Sequence, residues 1–317
     1  MRVFIAVDGS AHAEVVARSA AHLLRRADQP QVTVATMIDA SEAFATAERS
    51  PNVEIPRGTG WAGAGGFYIA QAPAGPAIED RAQAFARVRD EVQHRASRLA
   101  REHLPGYEVN IHVEAVEDAA GGIARAAERA GAELLILGTH GRTGLRRMAL
   151  GSVAQTAVHR TEIPAILVRE PLDRPGGADE PLRALLPTDG SSRVRAALPR
   201  IGTLASALGA DVTVIEVMEL PNLVVQSTLD AQRRAVRREV DEHIVALGDA
   251  GVQARGEVLE GFPARSIVNY AREHPFELVL VPTHDRSELG RVVFGSVADQ
   301  LIHDLPCPVA LVKARPQ

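Results

Sequence analysis

The feature that most constrains the fold is an internal repeat, because self-similarity at a fixed order means that one structural unit is built twice. Phe4-Ile5-Ala6-Val7-Asp8-Gly9-Ser10 matches Leu185-Leu186-Pro187-Thr188-Asp189-Gly190-Ser191, both apolar runs ending in Asp-Gly-Ser. Glu133-Leu134-Leu135-Ile136-Leu137-Gly138-Thr139-His140 matches Glu277-Leu278-Val279-Leu280-Val281-Pro282-Thr283-His284, and Leu150-Gly151-Ser152-Val153-Ala154 matches Phe294-Gly295-Ser296-Val297-Ala298. Ile163-Pro164-Ala165-Ile166-Leu167-Val168 and Cys307-Pro308-Val309-Ala310-Leu311-Val312 close the series. A chain of 317 residues is long enough for two domains, each with its own core.

The spacing of the blocks locates the difference between the copies. The Asp-Gly-Ser blocks are 181 residues apart and the Gly-Ser blocks 144 apart, so the first copy carries about 37 extra residues. They fall near 40–80, where Ser50 to Pro76 is rich in Gly, Ala and Pro and includes Trp61. Residues 1–170 form the first expected domain, 171–181 a polar linker punctuated by Pro and Gly, and 182–317 the second.

Short apolar runs alternate with helical patterns in each copy. The runs are Val3 to Val7, Val32 to Ile38, Val109 to Val116, Leu134 to Leu137 and Ala165 to Val168, then Ala184 to Leu186, Val212 to Met218, Val252 to Leu259, Leu278 to Val281 and Val309 to Val312. Phe85, Val88, Val92 and Leu99, and likewise Val236, Val240, Ile244 and Leu247, recur at helical spacing on one face. This alternation predicts an α/β fold, two tandem doubly wound domains with parallel sheets covered by helices on both faces. Ligands of such sheets bind at the carboxyl ends of the strands.

Composition narrows the function. A net charge of −5 supplies no basic field for phosphate backbones, and aromatic residues at 3% are too few for base-stacking platforms, so nucleic acid is not an expected partner. Cys307 is the only cysteine, which excludes an intramolecular disulfide framework and suits a reducing compartment. No stretch approaches a membrane span, and Asp8 interrupts the first apolar run too early for a signal peptide, so a cytoplasmic location is expected. Lys313 is the only lysine and stands in no G-x-x-x-x-G-K-[ST] sequence, which rules out a lysine-bearing P-loop. His12, His22, His94, His103 and His112 lack metal-ligand spacing, so no structural metal is expected.

Three features converge on the strand ends of the first copy. Asp8 closes the first strand, where a carboxylate can accept from ribose hydroxyls or an adenine amine. Gly138-Thr139-His140-Gly141-Arg142-Thr143-Gly144 follows the fourth strand, and Gly151-Ser152 opens the next helix. Glycines let backbone approach phosphates, and helix N-terminal amides attract anions. Together these residues form a candidate nucleotide cradle.

Here the chain resembles the universal stress protein family in its tandem two-domain form. The family's ATP-binding pattern, G-x2-G-x9-G-[ST], is met by Gly138, Gly141, Gly151 and Ser152, with Asp8 at the first strand end. The resemblance implies a five-stranded parallel sheet of order 3-2-1-4-5 in each domain and a regulatory protein binding ATP with Mg²⁺. It puts Asp8 and the backbone around Met37 at the adenine and ribose, Gly138 and Gly141 near ribose and phosphates, and Gly151, Ser152 and Val153 on the phosphates. The second copy keeps Asp189, Val217, Gly295 and Ser296 but has Pro282 and Asp285 where the glycines stand, and a carboxylate beside phosphates repels them. A live first site and a weak or empty second site are expected. Gly261-Phe262-Pro263 matches the family's G-x-P turn better than Glu117-Asp118-Ala119. The resemblance also implies that Pro164 to Val168 and Pro308 to Val312 meet in an intramolecular pseudo-dimer; a further homodimer and an unidentified regulatory protein partner stay open.

Plainer readings stand beside these. Ser152 and Ser296 suit helix N-caps as well as phosphate donors. His140 and His284 read first as structural histidines, and the run Arg142, Arg146 and Arg147 divides evenly between phosphate or partner contact and a solvated face. Trp61, Phe67 and Tyr68 form a lid over the nucleotide, a partner contact or part of an unstructured insertion. No catalytic residue is assigned. Slow ATP hydrolysis or phosphoryl transfer, with Arg142 and Mg²⁺ neutralising charge, is the enzymatic alternative, and a structural platform with decayed sites is the third.

Overall fold

A computed structural model describes residues 1–39, 78–139, 151–172, 177, 179–219, 226–283 and 296–314. Gly141, Gly295, Asp285, His140, His284, the arginine run and the aromatic residues of the insertion therefore lie outside the described residues, as does the Phe85 side chain. Two compact units are present: Met1–Ala21 with Gln29–Ile163, and His22–Asp28 with Pro164–Gln317.

In the first unit, β1 (Arg2–Ala6) is the central strand. It pairs in parallel with β2 (Gln31–Asp39) on one side and β4 (Leu134–Gly138) on the other, and β2 pairs in parallel with β3 (Val109–Val116). The spatial order is thus β3-β2-β1-β4. Continuous apolar runs suit strands covered on both faces, and Phe4, Ile5, Leu135 and Ile136 are at most 1% exposed. The helices are α1 (His12–Leu23), α2 (Ile78–His103), α3 (Ala119–Arg129) and α4 (Ser152–Arg160). Val88 and Val92 of α2 pack on Ile38 of β2 at one-turn spacing, and Val113 of β3 joins them. Leu99 is only half-buried, and Ala96 and Ala100 carry the buried face instead. Asp118 caps α3 by accepting from Gly121 N at 3.2 Å.

In the second unit the strands are β5 (Ala165–Val168), β6 (Leu182–Thr188), β7 (Ala210–Met218), β8 (Ala254–Glu260), β9 (Leu278–Thr283) and β10 (Val309–Lys313). Their order is β5-β10-β9-β6-β7-β8. All neighbours are parallel except β5, which runs antiparallel to β10 with Ile166 opposite Ala310. The helices are α5 (Ser192–Ala207), α6 (Gln226–Asp249), α7 (Pro263–Glu273) and α8 (Ser296–Asp304). A Cβ on Gly202 of α5 would stand 2.6 Å from the Ala250 Cβ, so this glycine allows α5 and the end of α6 to close on each other.

One difference from the sequence reading has a physical cause. In α6 the buried face turns on His243, 2% exposed, where the periodic apolar pattern had pointed to Ile244. No helix among the described residues is long and apolar enough to cross a membrane.

Candidate functional site

Ala6 lies opposite both Ala35 of β2 and Leu137 of β4, so the residues just beyond these positions emerge side by side at the carboxyl end of the sheet. Asp8, Met37 and Gly138 all stand there. The Asp8 turn is sharp: Gly9 has φ +67°, a left-handed conformation that costs glycine nothing. The Asp8 carboxylate Oδ1 accepts from Ser10 N at 3.0 Å and from Ser10 Oγ at 2.6 Å, and Ser10 Oγ in turn accepts from His12 N at 3.2 Å. This chain of bonds turns β1 into α1 and holds Asp8 at the strand end.

The glycines of β4 and α4 permit close approaches. A Cβ on Gly138 would meet His12 Cδ2 at 2.5 Å and Val16 Cγ2 at 3.2 Å, so Gly138 is the surface against which the His12 ring lies. Sequence spacing gave His12 no role, since nothing in it shows that α1 begins against β4. Gly151 donates its N–H to the Thr139 carbonyl at 2.8 Å, and a Cβ there would meet that oxygen at 2.9 Å.

Gly151 is the N-cap of α4 and brings no capping side chain. The reading of Ser152 as the cap is therefore corrected: Ser152 is the first helical residue. A helix start without a side-chain cap presents its first-turn amides and the positive end of its dipole to an anion. Val153 lies in the same turn. Met37 is 1% exposed, so only its backbone can face a ligand. The structure thus gathers Asp8, Met37 and Gly138 at adjacent strand ends, and joins Gly151, Ser152 and Val153 to them through Thr139.

The second copy is built alike but charged differently. Asp189 ends β6, Gly190 has φ +64°, and Asp189 Oδ1 accepts from Ser191 N at 3.0 Å. Ser191 Oγ, however, caps α5 by accepting from Val194 N at 3.4 Å rather than bonding to the aspartate. Val217 lies on β7 and Ser296 begins α8. Glu216, just before Val217, is 6% exposed, and its Oε2 has no hydrogen-bond partner among the described residues. A Cβ on Gly190 would overlap the Glu239 carboxylate of α6 and come 3.4 Å from Glu216 Oε1. Burial, then the charges of Glu239 and Asp189, push the Glu216 pKa up to about 7. The strand alignment puts Thr36 at this place in the first copy, and the repeat blocks, which do not include this strand, gave no signal for the difference.

Gly261, at φ +133°, and Pro263, at the start of α7, form the second copy's turn after β8, whereas Asp118 does this work in the first copy by capping. Among the described residues no group of His, Cys, Asp or Glu is arranged to hold a metal ion.

Strand-turn-helix units with a shared ligand-facing edge, present twice in one chain, define a tandem doubly wound α/β protein with a candidate anion cradle in its first copy. The sequence profile of the universal stress protein family matches residues 68–169 and 182–313, and the chain belongs to that family. A universal stress protein of Methanocaldococcus jannaschii is 28% identical over 138 residues, covering 41% of this chain and 81% of its own length. A relative from Mycolicibacterium smegmatis is 25% identical over 190 residues, covering 58% of this chain and 63% of its own. The crystal structure of a universal stress protein from Archaeoglobus fulgidus matches the fold with a TM-score of 0.59 at 14% identity, covering 99% of this chain and 96% of that one.

Proposed function

We propose that this chain is an adenine-nucleotide-binding regulatory protein that holds ATP in its first domain. The observation that carries the reading is the N-terminus of α4: Gly151, fixed on Thr139, is its N-cap and brings no capping side chain, at the carboxyl end of the sheet where Asp8 closes β1. First-turn amides suit phosphates, Ser152 adds a hydroxyl donor, and Asp8 suits ribose or adenine donors. Mg²⁺ would arrive on the phosphates, as expected of an ion that keeps its waters and is held largely by its substrate. Bound ATP acts by favouring one of two conformations or partner-bound states, which requires different affinities for the two. The partner is a cytoplasmic protein, and the chain works as a pseudo-dimer of its two copies or as a homodimer. The second site is unsuited to anions, since Asp189, Glu216 and Glu239 cluster at its strand ends.

The test is a calorimetric titration of nucleotide-stripped chain with Mg-ATP. One site per chain, lost in Gly151→Asp and retained in Ser296→Ala, supports the reading. Two sites would overturn the assignment of a closed second domain, and no binding would overturn the nucleotide reading itself.

A further inference from the structure

In the second unit, α5 and α6 flank an open cleft of about 480 Å³. Its walls are Leu198 and Pro199 of α5 with Ala246 and Ala250 around the end of α6, and its polar groups are Arg195, Glu242, His243 and Asp249. The volume suits a small organic molecule, and the mixture of apolar walls with few polar groups is typical of such sites.

His243 makes this more than a groove between helices. It is 2% exposed, lines the cleft, and its Nδ1 is buried with no hydrogen-bond partner among the described residues. A buried polar atom without a partner carries a desolvation cost that a ligand can remove. A neutral imidazole keeps one ring nitrogen free to accept a hydrogen bond. Burial, then the Arg195 charge, hold the His243 pKa below its usual value, which keeps the ring neutral.

The field selects the sign of the ligand. Glu242 and Asp249 line the cleft, and Glu239 and Asp189 also act on His243. Arg195 is the cationic group among them, and its Nη1 is engaged with the Gly190 carbonyl at 2.6 Å. Carboxylates outnumber it, so an anion is repelled and a cation drawn in.

We propose that this cleft binds a small organic ammonium ion with an apolar body, its N–H donors met by the His243 imidazole and its charge by Glu242 and Asp249. The body lies on Leu198, Pro199, Ala246 and Ala250. The proposal is independent of the nucleotide reading, because it concerns the other unit and a ligand of opposite charge.

The experiment follows the ring nitrogens of the full chain by long-range ¹H–¹⁵N correlation, with the His243 signal assigned through His243→Gln. Benzylammonium is expected to shift that signal saturably, while benzoate at equal ionic strength leaves it in place. Ala246→Trp, at a solvent-facing helical position, fills the cleft and should weaken benzylammonium by about tenfold or more. Glu242→Lys, also exposed, should weaken it too, so a variant that failed to fold would not decide the matter. An equal response to benzoate, no saturable response to benzylammonium, or a response unaltered in both folded variants would overturn the proposal.

Discussion

The backbone N–H of Arg183 donates to Glu277 Oε2 at 2.9 Å, while Glu277 N donates to the Arg183 carbonyl at 2.8 Å. Arg2 and Glu133 exchange the same pair of bonds in the first copy, at 2.8 Å each. What differs is the surroundings. Glu133 is 55% exposed, whereas Glu277 is 1% exposed and also receives Arg25 Nη2 at 3.0 Å, with His22 Nε2 2.5 Å away. Burial alone would push the Glu277 pKa up, but the bonds from His22 and Arg183 N and the Arg25 charge outweigh it and bring it down to about 2.

A folded pKa below the unfolded one means that the carboxylate's stabilisation is complete above about pH 4.5 and is lost as pH falls toward about 2. Glu277→Gln strands the basic partners, and is expected to cost roughly 2–4 kcal/mol at pH 7, whereas Glu133→Gln should cost under about 1 kcal/mol. Urea unfolding of both variants at pH 7 measures the difference. Equal costs would mean that burial of Glu277 is not what strengthens its bonds.

Much of this was legible in the chain itself. Matched Glu133 and Glu277 mark the same strand entry, and the apolar runs predicted Val109–Val116 and Ala165–Val168 to the residue. The glycines at 138 and 151 stand out in the sequence, and in the structure a Cβ at either would crowd a neighbour, the His12 ring at 138 and the Thr139 carbonyl at 151. His12 against Gly138, and Glu216 beside Glu239, were not legible, because they bring together residues from different elements at distances that only the packing of helix on sheet decides. His243 was missed for a related reason: a periodic pattern scores Ile244 as the buried residue, while the rotation of α6 on β7 and β8 buries its polar neighbour.

Ser152 separates capping from ligand binding. Gly151 is the N-cap and Ser152 the first helical residue, so Ser152→Ala should leave stability within about 0.5 kcal/mol. Under the ATP reading the lost hydroxyl donor faced a charged phosphate, a bond of about 1.5–3 kcal/mol, so affinity should fall roughly tenfold or more. Thermal unfolding without nucleotide, beside a Mg-ATP titration, reads both quantities. Unchanged affinity would remove Ser152 from the site.

Gly138 and His12 form a pair that a double-mutant cycle can isolate. Gly138→Ala places a methyl where the His12 ring lies, and the crowding should cost about 1–3 kcal/mol. His12→Ala vacates that space, so the double variant should recover at least about 1 kcal/mol of the cost of Gly138→Ala. Additivity within about 0.5 kcal/mol would show that the ring does not rest on Gly138 in solution.

Glu216 gives the second domain a pH response of opposite sign to that of Glu277. Its folded pKa of about 7 lies above the unfolded value of 4.5, so the folded state binds the extra proton. The associated stability is present in full below about pH 4.5 and is lost as pH rises through about 7, since the carboxylate must then ionise beside Glu239 and Asp189, with no partner for Oε2 among the described residues. Glu216→Gln keeps the shape and removes the charge. It should therefore flatten the decline between pH 5 and 8 and raise stability at pH 8 by on the order of 3 kcal/mol. Glu239→Gln should act in the same direction more weakly, by relieving one neighbour of the buried group. Urea midpoints at pH 5 and pH 8 decide it: a wild-type chain as stable at pH 8 as at pH 5, or a Glu216→Gln variant with an unchanged slope, would place the ionisation elsewhere.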